Sequence, residues 1–274
     1  MKRTVVIFAL MSLTVIALFV ANQTLLLAKP PVAATETMHT ANQLYESGQY
    51  ARAAQGYQQL ADQGFADSAL YYNLGNAYFK LGDYGRAILN YRRAEQLAPR
   101  DADIQTNLNL GRTQVVDQFE ENVEETAAVN ENFVSRLGKV TQTWLTLNEL
   151  AVITLGVWFL FSVLVIVMSN LRKGGSLREV LQYVLVTTSL VLTIGIVSLG
   201  SRLYVEHNNP EGVIVAGEIA VTSGPGPQYV TEFSLHSGTE VKLVEQRENW
   251  VRLAVPASDL QGWVPANAVE EIGG

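Results

Sequence analysis

Two stretches of 22 residues, one between Glu149 and Arg172 and one between Glu179 and Arg202, contain no charged side chain. A helix that crosses the hydrocarbon layer needs about 20 apolar residues. Both stretches are rich in Leu, Val, Ile and Phe. A buried helix of a soluble protein keeps a polar stripe, and the run from Val157 to Met168 has almost none. The two stretches therefore read as membrane-spanning helices at residues 147–169 and 180–203, joined by a loop at 170–179. Composition agrees, since the 274-residue chain is 48% hydrophobic and only 16% charged, where soluble domains average about 25% charged.

A third uncharged stretch, 25 residues long, follows Lys2 and Arg3. Its apolar core from Val5 to Val20 has the layout of a secretory signal, with Val32-Ala33-Ala34 as a small-residue cleavage site. Residues 1–34 are thus a signal peptide or an uncleaved N-terminal anchor. Charge sets the orientation. Residues 30–149 carry a net charge of −6 and residues 204–274 a net charge of −7, whereas the remainder carries +6. Arg172, Lys173 and Arg178 lie between the two spans. The positive-inside rule puts that loop in the cytoplasm and both acidic segments outside it. This is the arrangement of a multi-pass membrane protein with extracytoplasmic soluble domains.

The first acidic segment repeats with a period of 34 residues: Asn42 aligns with Asn76, Tyr45 with Phe79, Gly48 with Gly82, Ala53 with Ala87 and Tyr57 with Tyr91. Gly75, Ala87 and Ala94 are small where antiparallel helices must approach. Tyr78 and Tyr91 fill the space between them, Gly82-Asp83 breaks the chain, and Pro99 stops the second helix. With Tyr71 and Leu74, these positions resemble the tetratricopeptide repeat. Asp101 or Asp103 is placed to cap a closing helix that carries Ile104, Leu108 and Leu110. Residues 35–115 are therefore expected to form repeats plus a capping helix.

In the tetratricopeptide family the first helix of each repeat lines a concave groove. Carried over, the resemblance implies a partner-binding face made of Asn42, Tyr45, Tyr72, Asn76 and Phe79. The two Asn either grip an extended peptide through amide donor and carbonyl acceptor or satisfy groups within the array. Met38, Thr106 and Leu110 stand where repeats that clamp acidic C-termini place Lys or Arg, so no carboxylate clamp is expected. Residues 116–146 form an acidic linker. Phe133, Leu137, Val140 and Trp144 return toward its end at roughly helical spacing, with Trp144 suited to the membrane–water interface.

After Pro210 the pattern turns to short strands: Val213-Ile214-Val215, Ala220-Val221-Thr222, Glu240 to Val244 and Trp250 to Leu253. Gly224-Pro225-Gly226-Pro227, His236-Ser237-Gly238 and Ser258-Asp259 separate them. A small closed barrel suits about 60 such residues, because closure removes exposed edges. Leu235-His236-Ser237-Gly238, Gly262-Trp263-Val264-Pro265 and Ala268-Val269-Glu270 resemble the bacterial SH3-like domain, here residues 210–274. The resemblance implies a ligand surface at Tyr229, Trp250 and Trp263; rim or core packing is the other role open to each Trp.

The fold class is that of a multidomain membrane protein: all-α helical repeats, two transmembrane helices and a C-terminal all-β SH3-like barrel. No catalytic group stands out. With no Cys in the sequence, disulfides, thiolate zinc sites and cysteine nucleophiles are excluded. His39, His207 and His236 lack partners at metal spacing, and no phosphate-binding or nucleophile motif occurs. No cofactor and no metal is expected. The formal charge of −7 argues against nucleic acid. The whole layout resembles the BatE-type proteins of bacterial aerotolerance gene clusters. That resemblance implies an envelope scaffold whose partners are membrane proteins with von Willebrand factor A domains and a MoxR-type ATPase. A cell-wall sensor or tether, binding peptidoglycan through the SH3-like domain, is the alternative.

Overall fold

The computed structural model describes residues 32–117, 144–171, 175–208, 210–256 and 258–273. The expected signal or anchor, most of the acidic linker with Phe133, Leu137 and Val140, and loop residues Arg172 and Lys173 lie outside them. Two compact units emerge. Of the described residues, one holds 147–171 and 175–202; the other joins 32–117 and 144–146 to those from 203 to 273.

In the second unit, α1 (Val32–Glu46) and α2 (Tyr50–Asp62) form one helical pair, and α3 (Ser68–Lys80) and α4 (Tyr84–Leu97) the next. A fifth helix, α5 (Ala102–Arg112), packs on α4. Local chemistry fixes these boundaries. Asp67 caps α3 through the N–H groups of Ala69 and Leu70, and Asp83 caps α4 through Arg86 N–H. Of the two candidates for α5, Asp101 is the cap and accepts from Asp103 and Ile104 N–H. Gly48 and Gly82, one period apart, turn the chain within each pair at φ 78° and 77°, in the left-handed region where a Cβ is unfavourable. Gly75 sits where helices meet: a Cβ there would lie 2.7 Å from the Tyr91 ring. The Val32-Ala33-Ala34 stretch forms the first turn of α1, and Ala34 packs into the core with Ala41, Ala53, Tyr57 and Leu74.

The C-terminal strands are β1 (Glu211–Ile214), β2 (Glu218–Thr222), β3 (Thr231–His236), β4 (Glu240–Arg247), β5 (Trp250–Ala254), β6 (Gln261–Pro265) and β7 (Val269–Glu271). They form an antiparallel sheet of order β3-β2-β6-β5-β4-β1-β7. The sheet is not closed, contrary to the barrel expected from sequence. The helices supply what closure would have supplied. At the β7 edge, Arg93 of α4 donates to the carbonyls of Glu271 at 2.8 Å and Ile272 at 3.3 Å. At the β3 edge, the Asp117 carboxylate accepts the His236 N–H at 2.6 Å. Both edges are thereby partly satisfied by the helical part of the chain.

The core continues from helices to sheet. Ile88, Leu89, Tyr91, Leu108 and Val115 are buried in one cluster with Val213 and Ile272. The first turn of α4 lies so close to the sheet that a Cβ on Gly85 would stand 2.2 Å from Ser237 Oγ and 2.7 Å from the Ile214 carbonyl.

The other unit contains α6 (Leu147–Asn170) and α7 (Ser176–Asn208). Both are long and apolar enough to cross a membrane, with mean hydropathies of 2.8 and 2.1 over their best windows. Arg178, expected in the loop, lies in the first turn of α7 and donates to the Leu171 carbonyl. The two helices touch where Gly195 faces Thr154, whose Oγ1 would be 2.8 Å from an added Cβ.

Candidate functional site

The repeat face brings Asn42, Tyr45, Tyr72, Asn76 and Phe79 together, all half-buried. Each Asn is tied into the array by the same device. Tyr57 on α2 donates its hydroxyl to Asn42 Oδ1 at 2.7 Å, and Tyr91 on α4 donates to Asn76 Oδ1 at 2.8 Å. A second donor reaches each from the next first helix: Asn73 Nδ2 to Asn42 at 3.4 Å, and Asn107 Nδ2 to Asn76 at 2.8 Å. Asn107 also donates to the Tyr72 hydroxyl at 3.0 Å. The Asn side chains therefore serve internal partners through Oδ1, which leaves their amide groups as the atoms that decide any ligand contact. Tyr45 and Phe79 sit at equivalent positions too, each edge-on to the next aromatic, Tyr50 at 5.2 Å and Tyr84 at 5.4 Å between ring centroids. Burial and neighbouring Tyr45 and Glu46 push the Tyr57 hydroxyl up to about 12, so Tyr57 is a hydrogen-bond donor throughout the physiological range.

Asn73 and Asn107 are absent from the groove expected from sequence. They stand one 34-residue period apart, and that spacing is the signal that marks them.

The sheet distributes its aromatics differently from a shared ligand surface. Trp263 is only 6% exposed, and the Arg247 guanidinium covers its ring at 5.2 Å. Trp250 is half-buried and stands opposite Pro265 in the ladder. Tyr229 lies against Gly224, at the tip of the β2–β3 hairpin. Among the described residues, no ring contact joins these three.

The seam between helices and sheet was not legible as a site in the sequence. Arg92 on α4 pairs with Glu95 on its own helix, with Glu211 of β1 at 2.6 Å and with Glu240 of β4 at 3.0 Å. Burial works against its charge, but the three carboxylates outweigh that and hold the guanidinium protonated. Arg112 grips Glu240 with two bonds, at 2.6 and 3.1 Å. Asp117 takes the His236 N–H, the His236 ring Nδ1 at 2.8 Å and the Thr239 hydroxyl at 2.8 Å. Burial raises its carboxyl, yet these hydrogen bonds together hold it below the usual carboxylate range. A cavity of about 650 Å³ opens on this seam, lined by Arg92, Arg112, Asp117, Glu211, Glu240 and Lys242 among others. Its charges are of both signs and largely paired with one another, so it has no strong preference for an ion of either sign. Among the described residues, no group of three His, Asp or Glu is placed to hold a metal.

The family model for the tetratricopeptide repeat matches residues 68–101, which span α3, α4 and the turn between them. Comparison with curated proteins gives no match. The repeat points to protein–protein interaction as the work of this part of the chain.

Proposed function

We propose that this chain is a non-catalytic, membrane-anchored adaptor that holds envelope proteins on the outer face of a bacterial inner membrane. One relationship carries the reading. Arg92 and Arg112 precede the two apolar helices in sequence, Glu211 and Glu240 follow them, and the four pair directly. If α6 and α7 both cross the bilayer, the chain returns to the side it left, which is what this pairing requires. Arg172, Lys173 and Arg178 between the spans favour the cytoplasm for the turn, and the repeats and the SH3-like sheet are then extracytoplasmic.

The tetratricopeptide groove, with Asn42, Tyr45, Tyr72, Asn76 and Phe79, is the first protein-binding surface of this adaptor. Tyr229, at the tip of the β2–β3 hairpin, and the half-buried Trp250 are separate secondary contacts on the sheet. The resemblance to BatE-type proteins nominates membrane proteins with von Willebrand factor A domains, working with a MoxR-type ATPase, as the partners.

A photo-crosslinking residue placed at Tyr72 or Phe79 of the full-length protein in native membranes tests the reading. Crosslinks to a protein with a von Willebrand factor A domain, absent when the crosslinker sits at exposed Arg52 on α2, are the expected result. Crosslinks to abundant bystanders alone contradict it. Co-sedimentation of the purified protein with sacculi, without protein crosslinks, would shift the assignment to a cell-wall tether.

A further inference from the structure

We infer that the outer edge of β3 is a strand-addition site for an extended, basic segment of a partner protein. Among the described residues the sheet is open, and β3 pairs with β2 alone. Its hydrogen-bonding parity follows from one bond. Ser237 N–H donates to the Gly217 carbonyl at 3.0 Å, which continues the register Glu218↔His236 by one residue. In an antiparallel ladder, bonded and non-bonded pairs alternate. His236 and Ser234 therefore turn their main-chain groups away from β2.

The His236 end proves the direction. Its N–H is taken by Asp117 from outside the ladder, and its carbonyl by Thr239. Ser234 is exposed, and among the described residues nothing is hydrogen-bonded to its outward N–H or carbonyl. The opposite edge is partly occupied, because Arg93 donates to the carbonyls of Glu271 and Ile272 at the end of β7. Just before β3, Val230 is 74% and Tyr229 44% exposed, an apolar flank on which the side chains of an added strand can rest. Main-chain bonds then give affinity and alternate side chains give selectivity.

Charge chooses the occupant. No Lys or Arg lies between Arg202 and Lys242. Glu218 and Glu232 are exposed on the hairpin, and the Lys that often guards an edge strand is absent. A second copy would present the same acidic hairpin, with Glu218 and Glu232, to this edge. A segment with Lys or Arg at alternate positions is complementary.

The test uses the full chain in lipid nanodiscs and a labelled, capped peptide of sequence Lys-Val-Thr-Val-Lys-Thr. The peptide is expected to bind and to slow amide exchange across residues 231–236. N-methylation of its alternate amides is expected to weaken binding about tenfold or more, and Ser234→Pro in the protein about fivefold, as loss of two main-chain bonds and of one implies. Pro at this position removes an outward N–H and no bond to β2. Should that variant fold poorly, the N-methylated peptide makes the same measurement on the unaltered protein. Replacing the peptide's Lys by Glu should weaken binding, and Glu232→Gln should reduce that difference. Absence of protection at 231–236, or equal binding of the N-methylated peptide, overturns the inference. Self-association of the chain that disappears in Ser234→Pro would overturn the basic partner and assign the edge to a second copy. None of these outcomes depends on the repeat groove.

Discussion

Tyr91 donates its hydroxyl to Asn76 at 2.8 Å, and one period earlier Tyr57 does the same to Asn42 at 2.7 Å. Both Tyr are 1% exposed, so neither hydroxyl can turn to water if its acceptor is lost. Asn76→Ala should therefore cost about 1–3 kcal/mol, the penalty for an unsatisfied buried donor. Adding Tyr91→Phe should recover part of that loss. Thermal unfolding of the four variants of the cycle measures the coupling; strict additivity would mean that the bond contributes nothing. Partner binding must be judged on Asn variants that remain folded, because these side chains serve the array before they serve any ligand.

Gly85 probes the seam rather than the array. A Cβ there meets a backbone carbonyl at 2.7 Å as well as Ser237 Oγ, and a carbonyl cannot rotate aside. Gly85→Ala should destabilise the joined unit by about 1–3 kcal/mol while leaving α4 helical, since Ala favours helix over Gly. Circular dichroism should retain the helical signal as exchange protection falls at Val213 and Ile272. Unchanged stability would place the sheet farther from α4.

The pH response follows from Asp117. Its carboxyl is held below the ordinary range, so the stabilisation it gives is complete above the unfolded value of about 4. It is lost as pH falls through the lower folded value. Acid unfolding followed by tryptophan fluorescence should show this loss as a destabilisation that sets in below about pH 4. Asp117→Asn should lower stability at pH 7 and flatten the acid limb attributable to this group. An acid limb of unchanged slope in Asp117→Asn would remove Asp117 from the account.

Glu248 has φ 51° in the tight turn between β4 and β5. Asn tolerates that conformation better than Glu, and a β-branched residue tolerates it worse. Glu248→Asn should raise stability by about 0.5 kcal/mol and Glu248→Val should lower it by about 1 kcal/mol. Chemical denaturation reads both, and the opposite order would contradict the backbone assignment.

The repeats were legible because a tandem array writes its geometry twice: Gly48 and Gly82, Tyr57 and Tyr91, Asn42 and Asn76 announce themselves by spacing. The apolar helices were legible from the absence of charge, although α7 runs past the expected boundaries because its polar ends, from Ser176 and to Asn208, remain helical. Strand β3 was hidden. The register between β2 and β3 shifts at Val221/Thr222, and the Gly-Pro run at the hairpin tip masks the alternation. The seam was hidden for a different reason. Arg92 and Arg112 look in sequence like ordinary solvated helix charges, and their partners Glu211 and Glu240 lie more than 100 residues away, beyond both apolar stretches. Local pattern carries no record of such a pairing, nor of the edge-capping by Arg93 and Asp117 that lets the sheet stay open.

The absence of native Cys makes one measurement decisive for the joined unit on one side of the membrane. Arg112 and Glu240 meet across the seam at 2.6 Å, so thiols placed at these two positions are within reach of one short crosslinker. Arg112→Cys combined with Glu240→Cys, treated in intact membranes with a short bis-maleimide that carries a reducible disulfide, should form an intramolecular crosslink. Fragments cut at a protease site engineered into residues 118–143 should then stay linked until reduced. Two thiols that both react with a soluble maleimide yet never crosslink would show that repeats and sheet are separate modules, and would contradict the account.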